Sequence, residues 1–234
     1  DRHPARGVAT AGDEATGRAI RFCLSNPDIF RTQLRALLRA SVHGRLEIMF
    51  PMISGLEELE EAVDFLNVVR EELKAEGVDA AEDLPVGIMI EVPSAALVAD
   101  VLAKRSHFFS IGTNDLSQYT LAADRTNAGV ANIASSFQPP VLRLVKMVID
   151  AAHKEGKWVG MCGELAGEPV AIPILLGLGL DEFSMNPPAI PIAKQIIRSI
   201  SKSQAEVVAE MVLTLENSDQ VQEYVRDLLP IVNF

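Results

Sequence analysis

The chain has 234 residues, 48% of them hydrophobic, which is enough for one large core or two small ones. Its formal net charge of −11 argues against a general nucleic-acid-binding or anionic-membrane surface, although a local arginine pocket for a small phosphorylated ligand stays possible. The longest apolar run, residues 170–180, is broken by proline and glycine and is too short to span a bilayer. The two cysteines lie far apart and outside any CxxC or Cys/His cluster, so the sequence predicts a reduced, cytoplasmic protein without structural zinc.

The first part of the chain differs from the rest. Residues 1–16 are rich in charge, show no hydrophobic periodicity and contain no apolar segment of a signal peptide. We therefore predict an irregular N-terminal segment over residues 1–16, followed by a single domain over residues 17–234.

Five short, continuously hydrophobic runs predict β-strands that are buried on both faces, as in a parallel sheet. They are Leu46–Met52, Val86–Val92, His107–Gly112, Trp158–Cys162 and Glu182–Met185.

Segments with helical periodicity separate these strands. They are Asp28–Val42, Leu56–Ala75, Ser94–Ala103, Pro139–Glu155 and Pro169–Leu178, with three more, Ile190–Ser199, Gln204–Leu215 and Ser218–Leu229, after the last strand. Gly77, Gly156 and Gly179 lie just past helix ends, where a left-handed residue commonly terminates a helix.

The alternation of strands and helices predicts an α/β fold with right-handed crossovers. A complete (β/α)8 barrel has eight strands in about 250 residues, whereas only five strands are recognisable here. A doubly wound open sheet is the alternative, but no glycine-rich dinucleotide loop follows any of the predicted strands.

Polar residues gather where the predicted strands end. Glu91 ends the second strand, Asn114 and Asp115 follow the third, and Cys162 and Glu164 close the fourth. The C-terminal ends of parallel strands form one rim, and that rim is where α/β proteins bind ligands. A carboxylate that interrupts the apolar run VGIMIEV is costly unless it is paired or bound to a metal.

Each of these residues also has a simpler interpretation. Glu91 can pair with an arginine, Asp115 can cap the following helix, and Cys162 can be a small buried side chain. Gln118 and Tyr119 can be either packing or interface residues or ligand contacts. The simple interpretations do not explain why three strand ends carry such groups together.

Several motifs carry a resemblance to a known family. The strings FFSIGTNDLSQYTLAADR, MIEVPSAA, GMCGELAGE, LRALLRAS and LDEFSM resemble the C-terminal phosphoenolpyruvate-binding domain of enzyme I of the bacterial sugar phosphotransferase system, over residues 17–234. Phosphoenolpyruvate synthases and pyruvate phosphate dikinases share the TND and MCG cores, but the ELAGE string is more similar to enzyme I.

The resemblance implies a TIM (β/α)8-type barrel, here without its first strands and with extra C-terminal helices. It implies a dimer that binds phosphoenolpyruvate and Mg²⁺ and passes the phosphoryl group to a histidine on a separate N-terminal domain, releasing pyruvate. That domain would in turn serve the phosphocarrier protein in sugar uptake. No histidine here lies in a phosphoacceptor motif and no upstream DIGGDK-type strand is present, so we expect a fragment of the enzyme that is inactive in phosphotransfer alone.

Carried over by motif, the resemblance implies that Glu91 and Asp115 are Mg²⁺ ligands. Asn114 and Asp115 should contact the substrate, with Asn114 on its phosphate. Two carboxylates with substrate oxygens and waters are a common Mg²⁺ ligand set.

The resemblance also implies that Arg18 and Arg125 hold phosphate oxygens, because a guanidinium matches them with two parallel hydrogen bonds. Arg18 lies in GRAIR, where Gly17 directly precedes it and the large residue usual in the family pattern is missing. Cys162 should be the acid that protonates the enolate carbon as pyruvate forms.

Two other functions remain open at this point. One is the equivalent barrel of a phosphoenolpyruvate synthase or pyruvate phosphate dikinase relative. The other is a non-catalytic dimerisation or regulatory fragment, which Mg²⁺-dependent binding of phosphoenolpyruvate would distinguish from an enzyme domain.

Overall fold

All five predicted strands are present and pair in parallel, in the order β1-β2-β3-β4-β5. The computed structural model describes residues 17–124, 129–130 and 133–228. The strands are β1 Ile48–Phe50, β2 Val86–Ile90, β3 Phe108–Ile111, β4 Trp158–Met161 and β5 Glu182–Phe183. Each is shorter than predicted, since apolar residues continue past the point where pairing stops. After β1, for example, Met52 has a left-handed φ of +57°, a conformation that cannot continue a strand.

The helices surround this sheet in the predicted order. They are α1 Ala19–Ser25, α2 Pro27–Ala40, α3 Leu56–Ala75, α4 Pro93–Leu97, α5 Ala99–Leu102, α6 Thr113–Leu121, α7 Pro139–Lys154, α8 Ala171–Leu178, α9 Ile190–Ser199, α10 Lys202–Val212 and α11 Ser218–Leu228. The single helix predicted over Ser94–Ala103 is instead two short ones, α4 and α5, separated at Val98. The short helix α1 was not predicted, and α6 was anticipated only as a helix after Asp115, without bounds; it begins two residues before Asp115, at Thr113.

One face of the sheet carries the main core. Ile88, Phe109, Ile111 and Val159 are all fully buried on that face, within the cluster that the surrounding helices complete. Strand alternation sends their neighbours to the opposite face.

The opposite face carries a different set of side chains. There the rings of Phe108 and Trp158 stack with centroids 4.5 Å apart. Gly87 lies beneath Phe108, since a Cβ at Gly87 would come within 2.5 Å of that ring. The aromatic pair therefore fills space above the smallest residue of β2.

The strand order decides between the two fold classes. A doubly wound sheet reverses its strand order at a switch point, whereas successive strands of a (β/α)8 barrel always add to the same side. The five strands here add in one direction without reversal, as an arc of the predicted (β/α)8-type barrel. The extra helices α9, α10 and α11 follow β5, as predicted.

Two further expectations concern the whole chain. The predicted irregular segment over residues 1–16 lies outside the described residues, so the boundary with a domain over 17–234 stays a prediction. Within the described ranges no helix has the length and apolar character needed to cross a bilayer.

Candidate functional site

The predicted site residues lie at the C-terminal rim of β2, β3 and β4. Glu91 directly follows β2, Asn114 and Asp115 open helix α6 just after β3, and Cys162 directly follows β4. The paired strand ends explain this arrangement, because Ile111 pairs with the last residue of β2 on one side and of β4 on the other. Helix α6 is short and only weakly amphipathic, so its extent could not be recognised from the sequence. Its polar residues face the rim.

Glu91 is the buried member of the site, with 5% of its surface exposed. Its Oε1 accepts a 2.7 Å hydrogen bond from the backbone N–H of Met52. A Cβ on Gly112 would lie 2.9 Å from Glu91 Oε2, so the backbone after β3 passes close to the carboxyl group. The left-handed conformation of Met52 and the glycine at 112 together make room for this side chain.

Burial raises the pKa of Glu91 to about 7. The Met52 hydrogen bond opposes this shift, Asp115 reinforces it through its charge and a hydrogen bond, and the charge of Arg18 opposes it weakly. Asp115 therefore lies near enough to Glu91 for its charge to act on the buried carboxyl group. Two neighbouring carboxylates, one of them desolvated, are costly to hold as anions and favour a bound cation.

Arg18 supplies positive charge at this pair. Its Nη2 donates to Asp115 Oδ1 at 2.5 Å and to the hydroxyl of Tyr119 at 3.3 Å, and lies 3.6 Å from Met52 Sδ. Burial opposes the charge of Arg18, but the hydrogen bond and charge of Asp115 outweigh it and raise the pKa of the guanidinium. The structure thus brings Arg18, Glu91 and Asp115 together.

The loops after β3 and β4 are joined by hydrogen bonds. The Cys162 N–H donates to the carbonyl of Ile111 at 3.1 Å, and the Cys162 thiol lies 3.8 Å from the same oxygen. Two residues after Cys162, the backbone N–H of Glu164 donates a hydrogen bond to Asn114 Oδ1 at 3.4 Å. Cys162 is exposed at the rim and beside the Asn114–Asp115 turn.

The same two loops also approach each other closely where Gly163 packs against Thr113. Thr113 is fully buried, and its hydroxyl has no hydrogen-bond partner within the described part of the chain. A Cβ on Gly163 would lie 1.8 Å from Thr113 Oγ1 and 2.8 Å from the Thr113 backbone nitrogen. Only glycine fits at this position. The sequence gave no signal that Thr113 is the neighbour of Gly163.

Arg125, the second arginine predicted to hold phosphate, lies outside the described residues. Met52 is a site residue that the sequence did not identify, since its contribution comes from the backbone N–H and from a left-handed φ. Tyr119 contacts Arg18 and thus belongs to the site and not only to packing.

The donor chemistry of the site fits Mg²⁺. Glu91 and Asp115 offer carboxylate oxygens, and Mg²⁺ is commonly held by one or two carboxylates completed by waters and substrate phosphate oxygens. The described residues contain no group of three or more His, Cys, Asp or Glu side chains that would form a complete protein cage for a metal. Waters, and phosphate oxygens of a substrate where one is bound, would complete the ligand set around this pair of carboxylates.

The fold and the rim define a class of protein, and sequence comparison identifies it. Residues 16–202 match the family described as PEP-utilising enzyme, PEP-binding domain, and the chain belongs to this family. This match confirms the phosphoenolpyruvate-binding family that the motifs indicated.

Individual relatives specify the match further. The chain is 55% identical over 214 residues to the phosphoenolpyruvate-protein phosphotransferase of Priestia megaterium, covering 92% of this chain and 37% of the relative. Proteins of the same name from Bacillus subtilis and Staphylococcus carnosus are 53% and 52% identical over 210 residues, each covering 90% of this chain and 37% of the relative. The chain therefore spans a little over a third of the length of these relatives.

A structural comparison supports the fold alone. A citrate lyase from Burkholderia xenovorans superimposes with a TM-score of 0.55 at 17% sequence identity, over 86% of this chain and 68% of the lyase. At this identity the likeness concerns the arrangement of strands and helices and not the chemistry.

Proposed function

We propose that this chain is the phosphoenolpyruvate-binding domain of a phosphoenolpyruvate-protein phosphotransferase and that it binds phosphoenolpyruvate with Mg²⁺ at the rim of β2, β3 and β4. The observation that supports this most directly is the Arg18–Asp115 ion pair at the same strand-end rim as the buried carboxylate Glu91, in a chain of this family. One cationic and two anionic side chains at one rim suit a metal and a phosphate side by side.

Each residue has a role in this proposal. Glu91 and Asp115 would hold Mg²⁺, which when bound neutralises phosphate charge and fixes the substrate's orientation. Asn114, Arg18 and Arg125 would hold the substrate phosphate, the arginines by paired N–H donors. Placement of Asn114 at the start of α6 also brings backbone N–H groups towards an anion.

Cys162 would supply the proton that completes pyruvate. When the phosphoryl group leaves for a histidine nitrogen, the P–O bond breaks and its electron pair stays on the enolate oxygen. The methylene carbon then takes a proton from the Cys162 thiol, and the resulting thiolate recovers a proton from solvent. The exposed position of Cys162, next to the Asn114–Asp115 turn, allows both contacts.

The partners in this proposal lie beyond the chain. The acceptor histidine would lie on a separate domain and pass its phosphoryl group to the phosphocarrier protein, so this chain alone should bind substrate without transferring phosphate. Leu97 at the end of α4, Val98 at the break and Val101 on α5 are exposed apolar side chains that would suit a homodimer contact. An exposed free thiol at the site fits the reducing cytoplasm.

The test is Mg²⁺-dependent binding of phosphoenolpyruvate, measured by titration calorimetry on the 234-residue chain. Asp115→Asn should weaken Mg²⁺-dependent binding by about 100-fold, because it removes a metal ligand and a charge. Asp100→Asn, an exposed carboxylate on α5, is the matched control and should bind as the unmodified chain does. Asp115 is the third residue of α6, whose N-cap is Gly112, so it does not cap the helix. Equal binding by all three proteins would show that Asp115 is not a metal ligand, and no binding by the unmodified chain would refute the proposal.

A further inference from the structure

Arg18 contacts the carboxylate that the proposed function assigns to Mg²⁺. Its Nη2 lies 2.5 Å from Asp115 Oδ1, the shortest of its three contacts. Resting on that proposed function, we infer that Arg18 is a built-in counter-cation of the Glu91–Asp115 pair, which a divalent metal must displace from Asp115. Displacement then frees Arg18 to hold the substrate phosphate.

The geometry of the guanidinium group supports this exchange. The hydrogen bonds of the Arg18 side chain to described oxygen atoms are both made by Nη2, to Asp115 and to Tyr119. Bidentate binding of a phosphate needs two neighbouring nitrogens of the guanidinium, and both edges that offer such a pair include Nη2. While the two N–H groups of Nη2 are held by Asp115 and Tyr119, neither edge is complete, and release from Asp115 frees one of them. Release from Asp115 is therefore a requirement for its proposed role.

Charge makes the two cations exclude each other at Asp115. Arg18 partly neutralises the two carboxylates, so it stabilises their anionic forms without a metal. A divalent cation at the same carboxylate repels the guanidinium and supplies more charge. Arg18 can respond because its side chain is 45% exposed, so movement does not disturb the core.

Tyr119 determines where Arg18 goes. It lies one helical turn after Asp115 on α6, and its hydroxyl is 3.3 Å from Arg18 Nη2. A neutral hydroxyl keeps this contact when Asp115 is engaged by a metal. Tyr119 is therefore a positioning residue, which keeps the guanidinium beside the site instead of in solvent.

The test separates metal binding from substrate binding by calorimetry, with Mg²⁺ as the only ligand in the first series. Arg18→Gln should bind Mg²⁺ about fivefold more tightly than the unmodified chain, the effect of removing one partly exposed ion pair. In the second series, at saturating Mg²⁺, it should bind phosphoenolpyruvate at least about tenfold more weakly, because a charged phosphate contact is lost.

Three further variants control the interpretation. Arg18→Lys keeps the competing charge and should bind Mg²⁺ as the unmodified chain does. Arg21→Gln removes a nearby positive charge that pairs with Glu58 instead of the site, and should leave Mg²⁺ affinity unchanged. Tyr119→Phe should leave Mg²⁺ affinity nearly unchanged but weaken phosphoenolpyruvate binding, which a purely structural role would not do selectively.

The outcomes distinguish this inference from the proposed function. If the unmodified chain binds Mg²⁺ and phosphoenolpyruvate but Arg18→Gln binds Mg²⁺ equally or more weakly, the competition is refuted and the proposed function stands. If neither protein binds Mg²⁺, with or without phosphoenolpyruvate, both are refuted. Tighter Mg²⁺ binding by Arg21→Gln as well would show that general charge, and not the Arg18 contact, controls the metal.

Discussion

At the residue scale, the site depends on positions where the backbone has no room for a side chain. Gly112 lies against the Glu91 carboxyl group and Gly163 against Thr113. Both glycines lie beside proposed ligand or proton-donor residues. Close backbone approach thus constrains the loops that carry the proposed metal-binding carboxylates and Cys162.

Gly163→Ala should therefore destabilise the fold and disturb the site together. The added Cβ would lie 1.8 Å from Thr113 Oγ1 and close to the Thr113 backbone, so the loop after β4 must move. We expect a loss of about 3 kcal/mol in the free energy of unfolding, measured with urea. We also expect a changed rate of alkylation at Cys162, measured in a Cys23→Ser background with one thiol.

Gly44→Ala is the matched control for this substitution. Its added Cβ would meet nothing within 4 Å, and its φ of 171° is extended backbone that any residue adopts. It should change the free energy of unfolding by less than about 0.5 kcal/mol. Equal effects of the two variants would show that the Thr113 contact does not constrain the loop.

At the scale of elements, Glu58 connects the start of α3 to α1. Its carboxylate accepts hydrogen bonds from the Ser54 backbone N–H at 2.8 Å and the Ser54 hydroxyl at 2.6 Å. On the other side, Arg21 Nε donates to it at 2.8 Å. Burial works against the charge of Glu58, but the Ser54 and Arg21 interactions outweigh it and lower the pKa of the carboxyl group.

Glu58→Gln should cost about 1 kcal/mol at pH 7, comparable with the loss of a helix N-terminal cap. Because the pKa of Glu58 is lower in the folded state, its stabilisation is present above the unfolded pKa and is lost as the pH falls through the folded value. Urea unfolding of both proteins from pH 7 to pH 3 should show the difference shrinking below about pH 4.5. A difference that stays constant over this range would mean that packing, and not charge, accounts for it.

Secondary structure was predicted well where the residues determine it locally. The five strands and helices α2, α3 and α7 to α11 have runs of apolar residues with a clear period, and only their ends were misplaced. The break at Val98 divides into α4 and α5 a helix whose sequence is continuous. Helices α1 and α6 are only seven and nine residues long, so their sequences have little helical pattern to detect.

At the scale of the whole molecule, the proposed reaction needs more protein than this chain. The chain covers 37% of the Priestia megaterium relative, so the test of Cys162 belongs in an enzyme of that full length. There Cys162→Ala should keep phosphoenolpyruvate affinity within about threefold, because a proton donor acts on the enolate and not on the bound ground state. It should lower pyruvate–phosphoenolpyruvate isotope exchange by at least about 100-fold, the usual contribution of a general acid.

Two results would contradict the role of Cys162. Exchange near the unmodified rate would assign the proton to another group. Equal loss of binding and exchange would make Cys162 a structural residue of the loop after β4.

The sequence by itself determined the α/β class, the five strands, the family and the residues that end each strand. These features can be recognised within short stretches of sequence, since strand periodicity and motif strings do not depend on contacts between distant residues. Only the tertiary structure decided that Arg18 binds Asp115, that Met52 donates to Glu91, and that Thr113 packs on Gly163. These contacts join residues 97, 39 and 50 positions apart along the chain (115 − 18, 91 − 52 and 163 − 113). Such pairs depend on strand register and on left-handed or glycine backbone at single positions, which a periodic pattern does not encode.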